Sequence, residues 1–93
     1  MYVGVQHRIK DADVAFSRGQ ALVEGHEAPP GVRLREFYPS QDRTAATCLW
    51  EGDSLDSVRE YVDSTLGDAV ENTYFEVDAE QSVGLPESAA TGA

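Results

Sequence analysis

His7 and Cys48 are the leading candidates in this chain for metal or proton chemistry, and both fall in segments that read as β-strands. An imidazole titrates near neutrality and can ligate a metal. His7 shares a strand face with Val3 and Val5, so it is either a ligand or base, or a histidine hydrogen-bonded at a strand end. Cys48 is the single cysteine, which excludes an internal disulfide and any multi-cysteine zinc or iron–sulfur site. A lone cysteine in a strand is most often a small buried hydrophobe. A metal at His7 would need Glu36, Cys48 or Glu76 within coordination reach. A His/Cys donor set suits nickel, zinc or copper, and a His/carboxylate set also admits manganese or iron.

A second group is aromatic. Tyr38, Trp50, Tyr74 and Phe75 lie on strands expected to adjoin in one sheet, where they would line a ligand pocket or pack a subunit interface. Arg33 and Arg35 share a face and could clamp a carboxylate, or pair with surface acids. His26 reads as a helix-end residue and Asn72 as a turn former. The chain has no nucleophile elbow, phosphate-binding glycine loop or paired-cysteine motif.

The elements that must position these residues follow from periodicity. Tyr2–Arg8 alternates as a strand, and Asp11 or Asp13 can cap the helix that follows. Ala12, Ala15/Phe16, Gly19, Leu22/Val23 and His26 recur at helical spacing, and Pro29-Pro30 cannot extend that helix. Val32–Tyr38 places Val32, Leu34, Glu36 and Tyr38 on one face and Arg33, Arg35 and Phe37 on the other. Pro39-Ser40-Gln41-Asp42-Arg43 joins it by a hairpin to Thr44–Glu51. Asp53 or Ser54 caps a second helix with Leu55, Val58, Val62 and Leu66 on its buried stripe and Gly67 as its stop. Asn72–Asp78 is the fourth strand.

This order, βαββαβ, predicts a ferredoxin-like α+β domain: a four-stranded antiparallel sheet with both helices on one face. The other face stays open, and an apolar open face predicts a homodimer or higher homo-oligomer. The domain is expected over residues 1–85, with a disordered tail over 86–93. Ninety-three residues leave no room for a second core.

The formal net charge is −10, and it is uneven. Residues 1–50 balance six acids against six bases, whereas residues 51–80 carry ten acids against Arg59 alone. An acidic half of this kind repels phosphate backbones, so no nucleic-acid partner is expected. No apolar run is long enough to cross a bilayer, and the first residues lack the zones of a signal peptide. A cytoplasmic location with no membrane partner is the expectation.

The segment Thr47-Cys48-Leu49-Trp50-Glu51-Gly52-Asp53-Ser54-Leu55-Asp56-Ser57-Val58 resembles the strand-to-helix signature of small ferredoxin-like nickel-binding proteins. Those proteins show a Cys-Leu-x-Glu-Ala-Pro-Ser pattern there, and His7-Arg8 resembles their early histidine. The order and length resemble the wider dimeric α+β barrel superfamily. The resemblance spans residues 2–78 and implies His7 and Cys48 as ligands of nickel or another divalent transition metal; Glu36, which the family does not supply, is taken with them as the third donor of the expected metal site. It departs from the family in the second strand and second helix, which offer Arg33, Glu36 and Tyr61-Val62 where the family has further histidines. Three functions are therefore expected: a metal- or small-ligand-binding module; a cofactor-free isomerase, cyclase or monooxygenase; or an oligomeric interaction protein with no small ligand.

Overall fold

A computed structural model of the chain describes residues 1–87. In chain order the elements are β1 (Tyr2–Ile9), α1 (Ala12–Val23), β2 (Arg33–Pro39), β3 (Ala45–Glu51), α2 (Leu55–Leu66) and β4 (Val70–Glu76), with a single 3-10 turn at Gly67–Ala69. The sheet order is β2-β3-β1-β4 and every pair is antiparallel. The ferredoxin-like α+β order expected from the sequence is the one observed.

Strand β1 is paired on both sides, so its alternation decides what the core contains. Val3, Val5, His7 and Ile9 pair with Trp50, Cys48 and Ala46 on β3 and with Glu76, Tyr74, Asn72 and Val70 on β4. Val3 and Val5 are fully buried there and Trp50 almost so. Gly4 falls on the opposite face, across from Phe75, whose ring occupies the space a Cβ at Gly4 would need.

The helices end where local chemistry satisfies their free backbone groups. Asp11 caps α1 by accepting from the Val14 N–H, and Ser54 caps α2 by accepting from the Ser57 N–H at 3.0 Å. Helix α1 stops before Pro29-Pro30, because Gly25 takes a positive φ of 70°. The Gly25 N–H then donates to the Leu22 carbonyl and the His26 N–H to that of Ala21, a Schellman closure. His26 thus sits beyond the helix, where its carbonyl accepts from the Tyr61 hydroxyl at 2.7 Å. Gly67 ends α2 as expected, at φ 58°.

Strand β2 departs from simple alternation. Leu34 pairs with Trp50, but Glu36 pairs with Leu49 and Phe37 with Cys48, so Arg35 is the extra residue of a β-bulge. The bulge exchanges the faces of everything after it. Phe37 turns to the helix side, where it meets Phe16 edge-on at 6.4 Å, while Glu36 and Tyr38 turn away. Arg35 reaches the buried Glu51 carboxylate at 2.6 Å.

The face away from the helices is partly bordered by the chain after β4. The Val77 N–H donates to the Tyr2 carbonyl, and the Tyr2 hydroxyl donates to the Pro86 carbonyl at 2.6 Å. Within the expected tail over 86–93, residues 88–93 lie outside the described residues.

The Ser54 cap gives a direct check on helix energetics. Ser54→Ala leaves the α2 N-terminus without its side-chain acceptor and should lower stability by about 1 kcal/mol in urea unfolding. An unchanged midpoint would mean that solvent caps the helix equally well.

Candidate functional site

The helix-side face of the sheet brings His7 and Cys48 together from neighbouring strands. His7 Nε2 lies 3.0 Å from Cys48 Sγ, and His7 Nδ1 lies 2.5 Å from Asn72 Oδ1. Asn72 Oδ1 can only accept, so Nδ1 carries the proton and Nε2 offers its lone pair to the Cys48 thiol. Asn72 in turn donates through Nδ2 to Asp63 Oδ1 on α2 at 2.9 Å, and the Tyr74 hydroxyl donates to the same oxygen at 2.5 Å. A continuous chain therefore runs from Cys48 through His7 and Asn72 to Asp63.

Burial sets the charge state of this chain. His7 is 7% exposed, and desolvation holds its pKa below the ordinary histidine value, against smaller upward pulls from Asn72 and Asp63. Desolvation pushes the Cys48 thiol up to about 12, outweighing the lowering effect of the nearby Trp50 indole. The same effect, reinforced by Asp63, raises Tyr74 above the usual tyrosine range. Near neutrality the pair is a neutral imidazole beside a neutral thiol, rather than an ion pair.

His7, Cys48 and Trp50 border a cavity of about 120 Å³ between α1 and the sheet. The remaining wall is apolar except for Gln20, with Ala15, Phe16 and Gly19 from α1 facing Leu34, Phe37 and Ala46 from the sheet. Among the described residues, no lysine, arginine, aspartate or glutamate borders it. Trp50 packs edge-on against Tyr61 at 5.8 Å, and its buried indole Nε1 makes no hydrogen bond of acceptable geometry. Exposed Val23 and half-exposed Phe37 stand at the cavity's outer rim.

The residues expected to share a site are divided between the two faces. His7 and Cys48 meet, but the β2 bulge carries Glu36 to the opposite face, so the expected trio His7, Glu36 and Cys48 is not assembled. Among the described residues no group of three His, Cys, Asp or Glu side chains is placed to hold a metal ion. The aromatic set also separates. Trp50 borders the cavity with His7, and Tyr74 is engaged with Asp63. Tyr38 and Phe75 instead border a second cavity, of about 250 Å³, on the far face. That cavity includes Glu36, Leu49 and residues 82–85.

Asn72 and Asp63 are the members that the sequence reading passes over. Asn72 reads as a turn former if β4 begins there, but the strand begins at Val70. Val70, Asn72 and Tyr74 then alternate on one face, and a polar residue in that row is the signal that marks Asn72 as a partner.

The burial of His7 has a definite pH signature. Between its lowered native pKa and the ordinary value of 6.5, the unfolded chain binds the proton and the folded chain does not. Stability therefore rises with pH through that window, and is lost as pH falls below about 6.5. Unfolding measured from about pH 8 to about pH 5 should show wild type losing stability relative to His7→Gln on acidification. A difference between the two proteins that does not vary with pH would remove the buried neutral imidazole from the account.

No protein-family model matches the chain, and no curated protein matches it. Among solved structures it is similar to that of Rv0793 from Mycobacterium tuberculosis, with a TM-score of 0.51 and 15% identity over 87% of this chain and 98% of that one. At that identity the likeness shows the fold alone, and the fold it shows is the ferredoxin-like α+β arrangement described above.

Proposed function

We propose that the protein binds a small, mainly apolar molecule in the cavity between α1 and the sheet, with His7, Cys48 and Trp50 at the polar end of the site. The cavity itself carries this reading: about 120 Å³, apolar walls, and three polar groups gathered in one region. Small-molecule sites have this composition, with apolar lining for affinity and a few placed polar groups for orientation. An apolar cavity of roughly 150 Å³ admits benzene, so the occupant has the bulk of one ring or a short branched chain. The unpaired Trp50 N–H calls for an acceptor on that occupant, such as a hydroxyl or carbonyl oxygen.

The finer reading, a soft divalent metal such as nickel at His7 and Cys48, is favoured by one distance. Nitrogen and sulfur ligands of one tetrahedral metal stand roughly 3.5 Å apart given their usual bond lengths. His7 Nε2 and Cys48 Sγ, at 3.0 Å, need only a small separation to admit an ion. Further donors would come from the ligand or from a second copy. A homodimer is supported by the far face, where Tyr38 and Phe75 are 61% and 47% exposed.

Phenol is a suitable probe of the cavity. Titration followed by Trp50 fluorescence should saturate for wild type, whereas Ala46→Leu, which fills the wall beside His7, should weaken binding at least about tenfold. Failure to saturate, or equal binding by both proteins, would count against the cavity as the site. Native mass spectrometry with nickel, zinc or copper salts alone, on wild type and His7→Gln, tests the metal reading. Equal uptake by the two would remove it.

A further inference from the structure

Cys48, His7 and Asn72 stand in the relation of nucleophile, general base and base-orienting group. The nucleophile–base contact is 3.0 Å and the base–orienter contact 2.5 Å. Asn72 is itself fixed by Asp63 at 2.9 Å. The tautomer that Asn72 selects leaves Nε2 free to accept the thiol proton, which is the geometry nucleophilic catalysis requires. A second observation lies outside this hydrogen-bonded chain. The Trp50 indole N–H, on a residue 1% exposed and bordering the same cavity, stands near the Cys48 thiol and makes no hydrogen bond of acceptable geometry. A donor beside a nucleophile is useful where negative charge develops on an oxygen.

We propose that Cys48 takes up the acyl group of a small activated ester or thioester, with His7 as general base, Asn72 as its positioning residue and Trp50 as oxyanion donor. This rests on the cavity being the ligand site. His7 Nε2 removes the thiol proton as sulfur bonds to the acyl carbon, and the Trp50 N–H stabilises the carbonyl oxygen as it becomes an oxyanion. Collapse breaks the bond to the alcohol or thiol leaving group, which takes the proton back from Nε2. Water then attacks the Cys48 thioester with His7 again accepting the proton. The carboxylic acid leaves and the thiol is restored.

The lining decides the substrate class. The absence of any charged residue from the cavity wall disfavours phosphoryl and sulfuryl groups, which need cationic partners. The acyl chain must be short and apolar to fit about 120 Å³. Because burial keeps both partners neutral at rest, thiolate forms only as the carbon–sulfur bond forms.

p-Nitrophenyl acetate tests this through p-nitrophenol release and the intact mass of the full chain. Wild type should acquire one acetyl group, on Cys48. His7→Gln should slow acylation about 100-fold. Asn72→Ala should slow it about tenfold, whereas Asn72→Asp, which keeps an acceptor for the Nδ1 proton, should restore most of the rate. Cys48→Ser should carry no thioester.

Acetylation elsewhere, an unchanged rate in His7→Gln, or no acetylation of wild type would overturn the proposal. The site of acetylation in wild type needs no variant to fold. Phenol titration separates the two readings: saturable binding without acylation defeats this proposal alone, and absence of both defeats the ligand site as well.

Discussion

The histidine on the central strand is the constraint around which the sheet is arranged. His7 continues a row of fully buried valines on β1, and an imidazole in that row must have both nitrogens engaged or forfeit a large desolvation energy. Its partners come from both neighbouring strands, Cys48 from β3 and Asn72 from β4. A slip of one residue in either pairing would turn the partner to the opposite face and leave a nitrogen unpaired. The polar pair thus reinforces the register that Val3, Val5 and Trp50 set by burial. Through Asp63, which accepts from both Asn72 and Tyr74, the same requirement ties α2 to β4.

Much of this arrangement was legible in the residues. The alternation of Tyr2–Arg8, the stripe Leu55, Val58, Val62 and Leu66, and the stop at Gly67 all reflect physics that acts within a few residues, and the observed elements follow them. The misses arise where a distant partner or one extra residue decides. The bulge at Arg35 is invisible to a period of two, because alternation looks equally regular on either side of it. It exchanges Glu36 for Phe37 on the helix side, and a site expected to hold a carboxylate gains a phenyl ring. Asn72 stands at the start of β4 in the sequence reading, and it belongs to the site because β4 pairs with the distant β1 in the register that sets Asn72 opposite His7. Gly25 ended α1 before the prolines because a positive φ and its Schellman bonds act sooner than a missing N–H.

The acids of the second half divide in the same way. Asp63 is structural and orders Asn72, whereas Asp56 pairs with exposed Arg59 and Glu71 with exposed Arg8. Exposed pairs of this kind contribute little to stability, so the negative charge of that half acts mainly as a long-range field. Among the described residues, none that borders the cavity carries an ionised side chain. An uncharged ligand would enter without an electrostatic penalty.

The origin of the cavity lies in the unequal inward faces of the helices. Helix α2 buries Val58, Tyr61, Val62 and Leu66, whereas α1 buries only Ala15 and Leu22. With Gly19 on the same stripe and Ala46 opposite, α1 spans the sheet with small side chains where larger ones would close the space. That space opens to solvent past Val23 and Phe37, so the packing forgone there costs less than in a sealed void of about 120 Å³. One larger residue at position 19 or 46 would recover part of it. A bound molecule recovers it as well, by supplying the missing contacts and an acceptor for Trp50, and in that state the small residues of α1 are a recognition surface.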